Sequence, residues 1–325
     1  MRFDFPVISV GNLSVGGTGK TPHVEYLIHL LQYVHKVATL SRGYRRSTHG
    51  FVIANPQSTA SQIGDEPKQF KVKFPETIVT VCEDRVLAIP RILGAHPETD
   101  VILMDDAYQH RGIRAGLSIL LSEYSNLFTR DYIMPIGWLR EEKSNYKRAD
   151  IIIISKCPLT LSKQEKDVII TEIRPYPYQK IYFSAIQYGP LYSFYDVRLK
   201  LELNKDTDVI LVCGIAKHED LKNYLQSKAG NVYVRSFADH HNYDRYDLES
   251  IRETITSVGA GKKIIVTTEK DAARLGEHGD WFLQNKIEIF VQPVTVGFLF
   301  NEAEKFNADI LHYVEITKQK NTLSN

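Results

Sequence analysis

Cysteine is scarce in this chain, long apolar runs are missing, and neither sign of charge is in excess. Three of the 325 residues are cysteine, Cys82, Cys157 and Cys213. Their wide separation matches neither a zinc-ligand spacing nor a disulfide framework, so a reducing, cytoplasmic setting is expected. No apolar run approaches the ~20 residues that a bilayer-spanning helix needs. Met1–Pro6 also lacks the apolar core of a secretory signal. Neither an integral nor a secreted protein is therefore expected. Lys plus Arg number 40 against 39 Asp plus Glu, a net charge of +1. Without a global basic field, nucleic acid is not expected as a partner, and any anionic ligand must be met by a local site. Internal repeats and low-complexity tracts are absent as well.

What is present is an ordinary globular composition, 43% hydrophobic and 24% charged, which excludes collagen-like, coiled-coil and mainly disordered chains. At roughly 150 residues per domain the length suggests two. Six short apolar runs, Pro6–Val10, Val37–Leu40, Thr77–Val81, Val101–Met104, Leu117–Leu121 and Ile151–Ile154, read as buried parallel strands. Between the first two, Val24, Leu27, Ile28 and Leu31 fall on one helical face of Thr21–Tyr33. Around Ile181–Val197 the sequence turns Tyr-rich and β-prone, with Gly189-Pro190 as a turn, and reads as a linker. Strands at Val209–Val212, Val232–Val234, Ile264–Val266 and Ile287–Val291, with a helix at Leu248–Val258, make a second, smaller α/β unit. The expected boundaries are 1–180, 181–202 and 203–325, with Lys318–Asn325 as a frayed tail.

The strongest local signal is Gly11-Asn12-Leu13-Ser14-Val15-Gly16-Gly17-Thr18-Gly19-Lys20-Thr21, placed between the first strand and the first helix. Glycines let backbone N–H groups curl around phosphate oxygens, and the helix start adds partial positive charge. Lys20 would then reach the β- and γ-phosphates and Thr21 would hold Mg²⁺. The standard formula has glycine where Ser14 stands.

A nucleotide site also needs a carboxylate at a strand end to organise Mg²⁺, and Asp105-Asp106 follow Val101–Met104. Consecutive side chains point apart, so at most one should face the metal directly. Two clusters offer a base for a hydroxyl acceptor, Gly64-Asp65-Glu66-Pro67 and Asp239-His240-His241. Asp65 equally fits a helix N-cap with Pro67 in the first turn, and the His pair equally fits a surface position. Arg42, Arg85 and Arg140 are candidate phosphate contacts by context. Thr268-Glu269-Lys270-Asp271 has the spacing of a helix-initiating capping box. No Asn-Lys-x-Asp guanine motif is present, and Ser155-Lys156-Cys157-Pro158 occupies a comparable strand end without the acidic residue, so ATP is expected over GTP.

Taken together these segments resemble the tetraacyldisaccharide 4'-kinase family of lipid A biosynthesis. The resemblance runs through Val10-Gly11-Asn12 leading into Gly16–Pro22, Leu40-Ser41-Arg42-Gly43-Tyr44, Gly64-Asp65-Glu66-Pro67, Glu83-Asp84-Arg85, Asp105-Asp106 with Gln109-His110, Leu139-Arg140-Glu141, Asp239-His240 and Thr268–Ala272. The family also accepts a small hydroxyl residue at the position of Ser14. The resemblance implies two α/β/α sandwich domains, the first P-loop NTPase-like, joined by a β linker. It also implies ATP and Mg²⁺ as nucleotide and metal. Asp65 is then similar to a base carboxylate with His240 as its partner from the other domain. Arg85, Arg140 and Glu141 resemble further active-site positions. The implied acceptor is an acylated glucosamine disaccharide 1-phosphate lipid, met peripherally on the cytoplasmic side of a Gram-negative-type inner membrane; no protein partner is implied.

Three departures from the family stand out. Ala107 replaces a usual glycine, Lys217-His218 replaces a usual Asn-Pro, and the family's membrane-contacting helix has no counterpart before the first strand. Membrane docking is therefore expected to use other surfaces unless the start lies upstream. Leu127–Trp138, apolar and followed by Lys143, Lys147 and Arg148, is one candidate; an ordinary packed segment is the other way to read it. A kinase or ligase acting on a soluble small molecule, and a nucleotide-dependent switch, are the competing functional classes.

Overall fold

The computed structural model describes residues 1, 3–215, 218–259 and 261–324, with side chains through 320. Lys217, one of the departures above, lies outside the described residues.

The chain forms two compact units, each built on its own sheet. The first sheet contains β1 (Val7–Asn12), β2 (Val37–Ser41), β3 (Val52–Ile53), β4 (Ile78–Val81), β5 (Val101–Asp105), β6 (Leu117–Glu123), β7 (Ile151–Ser155), β8 (Lys180–Tyr188) and, from the far end of the sequence, β15 (Val294–Phe298). Its order is β15-β8-β7-β6-β1-β5-β2-β4-β3. The six apolar runs expected to be parallel strands all pair in parallel.

Strand β1 lies between β5 and β6, where the order reverses, and an open α/β sheet binds ligands beyond the carboxyl ends of its strands at such a point. Register aligns Val7, Ala38, Leu40, Ile102, Met104, Leu120 and Ile152 on one face. There they pack against α4 (Arg85–Ala95) and α5 (Lys163–Ile173). Helix α1 (Lys20–Leu31) buries Val24, Leu27, Ile28 and Leu31 on the other face. Alternation along each strand thus supplies two apolar surfaces, which is why helices cover both.

The second sheet has β9 (Leu191–Ser193), β10 (Lys200–Leu201), β11 (Thr207–Cys213), β12 (Val232–Ser236), β13 (Lys262–Thr268) and β14 (Ile289–Gln292), in the order β10-β9-β14-β13-β11-β12. Leu221 and Leu225 of α6 (Glu219–Lys228) cover one face. Leu248 and Ile251 of α7 (Arg245–Ser257) and Phe282 of α9 (Gly279–Gln284) cover the other.

The expected boundaries move in three places. Ile181–Val197 is no separate linker: β8 pairs in parallel with β7 and completes the first sheet, and β9 already belongs to the second. Residues 295–325 return to the first unit, where α10 (Ala303–Ser324) buries Phe306, Ile310 and Val314 at i, i+4 and i+8. This helical spacing continues into the segment expected to fray, and Lys318 pairs with Asp100. Residues 57–69, with α2 (Ala60–Ile63) and the start of α3 (Asp65–Lys73), group with the second unit. Ser61 N–H donates there to Glu277, and Asp65 is ion-paired to Arg274 of α8 (Glu269–Leu275).

Candidate active site

The nucleotide loop leaves β1 at the reversal point and enters α1 at Lys20. A Cβ on Gly11 would fall 2.6 Å from Cβ of Tyr108, so only glycine lets the strand end lie against the turn that follows β5. Gly19 holds a left-handed φ of 84° and caps α1 without a side-chain bond, leaving the helix start to its backbone N–H groups. Ser14 forms an isolated bridge with Leu139, an extended conformation any residue accepts, so the loop does not require glycine there.

The loop is braced from beneath. Asn12 Nδ2 donates to Thr18 Oγ1 at 3.0 Å, and Ser155 Oγ donates to Thr18 O at 2.8 Å. His23 is buried between Gly19 O, 2.7 Å from Nδ1, and Ser184 Oγ, 2.9 Å from Nε2. Burial lowers the His23 pKa to about 4, with the Gly19 hydrogen bond opposing it, so the ring is neutral. From the side, Val15 N–H donates to Trp138 O and Arg140 N–H to Leu13 O, both at 2.7 Å.

Asp105 ends β5, and Asp106 turns out of the strand at φ 45°. Asp106 lies 3.6 Å from Lys20 Nζ and 3.0 Å from Arg140 Nη2. Burial would raise its pKa, but the Lys20 and Arg140 charges, the Arg140 hydrogen bond and Arg85 outweigh this and lower it. Arg85, itself buried, donates to the carbonyls of Asp105 and Asp106 at 3.3 and 3.1 Å and holds the strand end. Asn12 accepts from Lys20 at 3.4 Å and also from Arg140. Glu141 accepts from Gln109, Arg111 and Arg148, so in this arrangement it organises the turn behind the carboxylates. Ala107, where the family usually has glycine, is buried with its N–H on Val10 O.

These groups suit a polyphosphate and a hard cation. Lys20 and Arg140 supply positive charge, while Thr21, in the first turn of α1, and the Asp105/Asp106 pair supply oxygen donors. Among the described residues no cluster of three or more His, Cys, Asp or Glu forms a metal cage.

The second unit gathers the other sequence candidates. Asp65, its side chain fully buried, accepts from His240 Nδ1 at 2.8 Å and from Arg274 Nε at 2.5 Å. Burial would raise its pKa; the hydrogen bonds and charges of His240 and Arg274 overcome that and lower it. Arg274 also donates to His240 O at 2.6 Å and to Asn242 Oδ1. Lys270 Nζ sits 3.2 Å from His240 Nε2 and 2.8 Å from Asp239. This network makes His240 Nδ1 the donor to Asp65 and Nε2 the acceptor.

Asp65 does begin α3 with Pro67 in its first turn, but its carboxylate serves His240 and Arg274. His241 turns away to Asp247 at 2.7 Å and stacks on Phe237. Thr268 caps α8 as its spacing suggests, accepting from Asp271 N–H. Sequence reasoning passed over Asn12, a buried polar residue at a strand end, and Arg274, whose only signal is its place one turn beyond Lys270.

The model of the family described as tetraacyldisaccharide-1-P 4'-kinase matches residues 1–315 of this chain. The tetraacyldisaccharide 4'-kinase of Phocaeicola vulgatus is 41% identical over 329 residues, covering 99% of this chain and 90% of the relative. That of Flavobacterium psychrophilum is 42% identical over 317 residues, covering 96% and 88%. Among solved structures, LpxK from Aquifex aeolicus in complex with ATP aligns with a TM-score of 0.71 and 26% identity, over 97% of this chain and 90% of that one.

Proposed function

We propose, from the premise that this chain belongs to the tetraacyldisaccharide 4'-kinase family, a division of labour between its two side-chain clusters. The chain is a kinase of lipid A biosynthesis, transferring the γ-phosphate of ATP to the 4'-hydroxyl of tetraacyldisaccharide 1-phosphate. Similarity over nearly the full length carries this reading, joined to a nucleotide loop whose lysine meets Asp106 and Arg140. ATP and Mg²⁺ are its nucleotide and metal.

Phosphoryl transfer asks the protein mainly for positioning and charge. Ser14–Thr21 cradle the phosphates, with Val15, Gly16, Gly17, Thr18 and Gly19 contributing backbone. Lys20 and Arg140 meet the charge of the transferring group, and Arg85 keeps the Asp105–Asp106 turn in place. Thr21 and the Asp105/Asp106 carboxylates would hold Mg²⁺, which when bound neutralises phosphate charge. The base is the Asp65–His240 pair. Both Asp65 oxygens are engaged inside the fold, so the acceptor proton goes to His240 Nε2 once Lys270 yields it, and Asp65 stabilises the resulting imidazolium. Arg274 positions both partners.

The acceptor is an acylated lipid, so the enzyme works peripherally at the cytoplasmic face of the inner membrane. Among the described residues no helix is long and apolar enough to cross a membrane. Incubation with γ-labelled ATP and tetraacyldisaccharide 1-phosphate, beside soluble sugars and a no-acceptor control, tests the function. Label in the lipid is expected. Label only in soluble sugars, or only in inorganic phosphate, overturns the assignment.

A further inference from the structure

The stretch Tyr132–Leu139, Tyr-Ile-Met-Pro-Ile-Gly-Trp-Leu, has no charged residue, and only Leu139 is buried within it. Ile136 is 85% exposed and Trp138 64%, with Tyr132, Ile133 and Met134 also turned outward. Leu127 and Phe128, at the start of the apolar segment seen in the sequence, are instead buried in the core and contribute no outer surface.

The outward side chains are carried on a built loop. The buried Asp131 carboxylate accepts from Tyr132 N–H at 2.8 Å and from Trp138 N–H at 3.0 Å, clasping the two ends together. Met134 N–H donates to Leu139 O and Leu139 N–H to Tyr132 O, both at 2.9 Å. Holding five large apolar side chains in water is costly unless something covers them. The loop is also tied by Trp138 O to Val15 N–H, so the apolar tip and the nucleotide loop share one scaffold.

We infer that Tyr132–Trp138 is a lipid-docking loop, inserting Ile133, Met134, Ile136 and Trp138 into the acyl boundary of an anionic leaflet. Three features select this occupant. The tip carries no charge that would have to be desolvated in an apolar layer. Trp138 and Tyr132 pair apolar rings with polar atoms, the composition that settles at a membrane interface. Lys143 Nζ lies 5.0 Å from the centre of the Tyr132 ring, at the edge of the patch, where it meets anionic headgroups. The inference rests on the kinase reading for its purpose, since an acylated acceptor must be taken from such a leaflet, but it is measurable without catalysis.

The chain has two tryptophans, Trp138 and Trp281, so Trp281→Phe in the full chain leaves Trp138 as the sole reporter. Vesicles of phosphatidylcholine and phosphatidylglycerol at about 3:1 should shift Trp138 emission to shorter wavelength, and lipids brominated on the acyl chain should quench it. Met134→Ser with Ile136→Ser, in the otherwise native chain, should weaken vesicle co-sedimentation at least about tenfold and leave ATP affinity unchanged. Unshifted emission, wild-type sedimentation of the double variant, or a loop-dependent dimer by light scattering with no vesicle binding would each overturn the proposal. Vesicle binding through the loop by a protein that labels no lipid supports docking and fails the kinase reading; lipid labelling without emission change does the reverse.

Discussion

The two charged clusters are built on opposite principles. Around Lys20 the scaffold is backbone: a strand end, a glycine turn and a helix start, mostly within Gly11–Thr21, with the side chains of Lys20, Asp106 and Arg140 added at its lip. Around Asp65 the scaffold is side chain: a fully buried carboxylate held by a histidine and an arginine that lie 175 and 209 positions further along the chain. The first cluster can lose a side chain and keep its shape. On the proposed reading the second uses the same ion pairs to fold and to orient the proton acceptor, which would make chemistry and stability inseparable there.

The largest expected effect tests the first half of that contrast. Lys20→Ala and Asp106→Ala should each lower turnover about 10³-fold or more, because both act where transition-state charge collects. Stability should change by less than about 1 kcal/mol, since neither residue holds the loop. Steady-state kinetics and denaturant unfolding on the same preparations check this; a variant keeping more than half its turnover removes that residue from the site, and a large loss of stability erases the contrast.

A smaller loss of turnover, with a larger loss of stability, is expected for the second cluster. Asp65→Asn and His240→Ala should each slow turnover about 10²-fold or more. Breaking a buried pair should also cost roughly 3–5 kcal/mol of stability, from the uncompensated Arg274 charge in the Asp65 variant. If the pair works as one unit, the double variant should be little slower than the worse single variant. Losses that multiply would show independent roles, and an Asp65→Asn enzyme that is unstable but turns over normally would make the cluster purely structural.

The same contrast explains what could be read from the sequence. The nucleotide loop was legible because its parts are consecutive, and the six parallel strands because each is a short, doubly buried apolar run. Asp65 and His240 stood out as separate candidates, but their pairing came only through a family resemblance, since no spacing connects residues 175 positions apart. Arg274 was invisible for the same reason. Strand β8 passed for linker because its Tyr-rich sequence shows β propensity without saying which sheet it joins. Segments 57–69 and 295–325 crossed the expected boundaries because chain order does not report which core a segment packs against.

The smallest effect concerns the titratable one among the side-chain braces of the nucleotide loop. His23 is neutral in the folded chain because burial lowers its pKa to about 4, whereas an unfolded histidine titrates near the ordinary 6.5. Between those values the unfolded chain binds more protons than the folded one, so stability falls as pH drops from about 6.5 towards 4 and is unaffected by this group above that window. Its contribution should approach, at most, about 1.4 kcal/mol per pH unit. Denaturant midpoints of the native chain and of His23→Gln, compared from pH 7.5 to 4.5, isolate it, because every other titrating group is common to both. The native chain should show the steeper acid slope. Identical slopes would mean that His23 does not brace the loop through its neutral ring, leaving the Asn12 and Ser155 side chains as its braces from beneath.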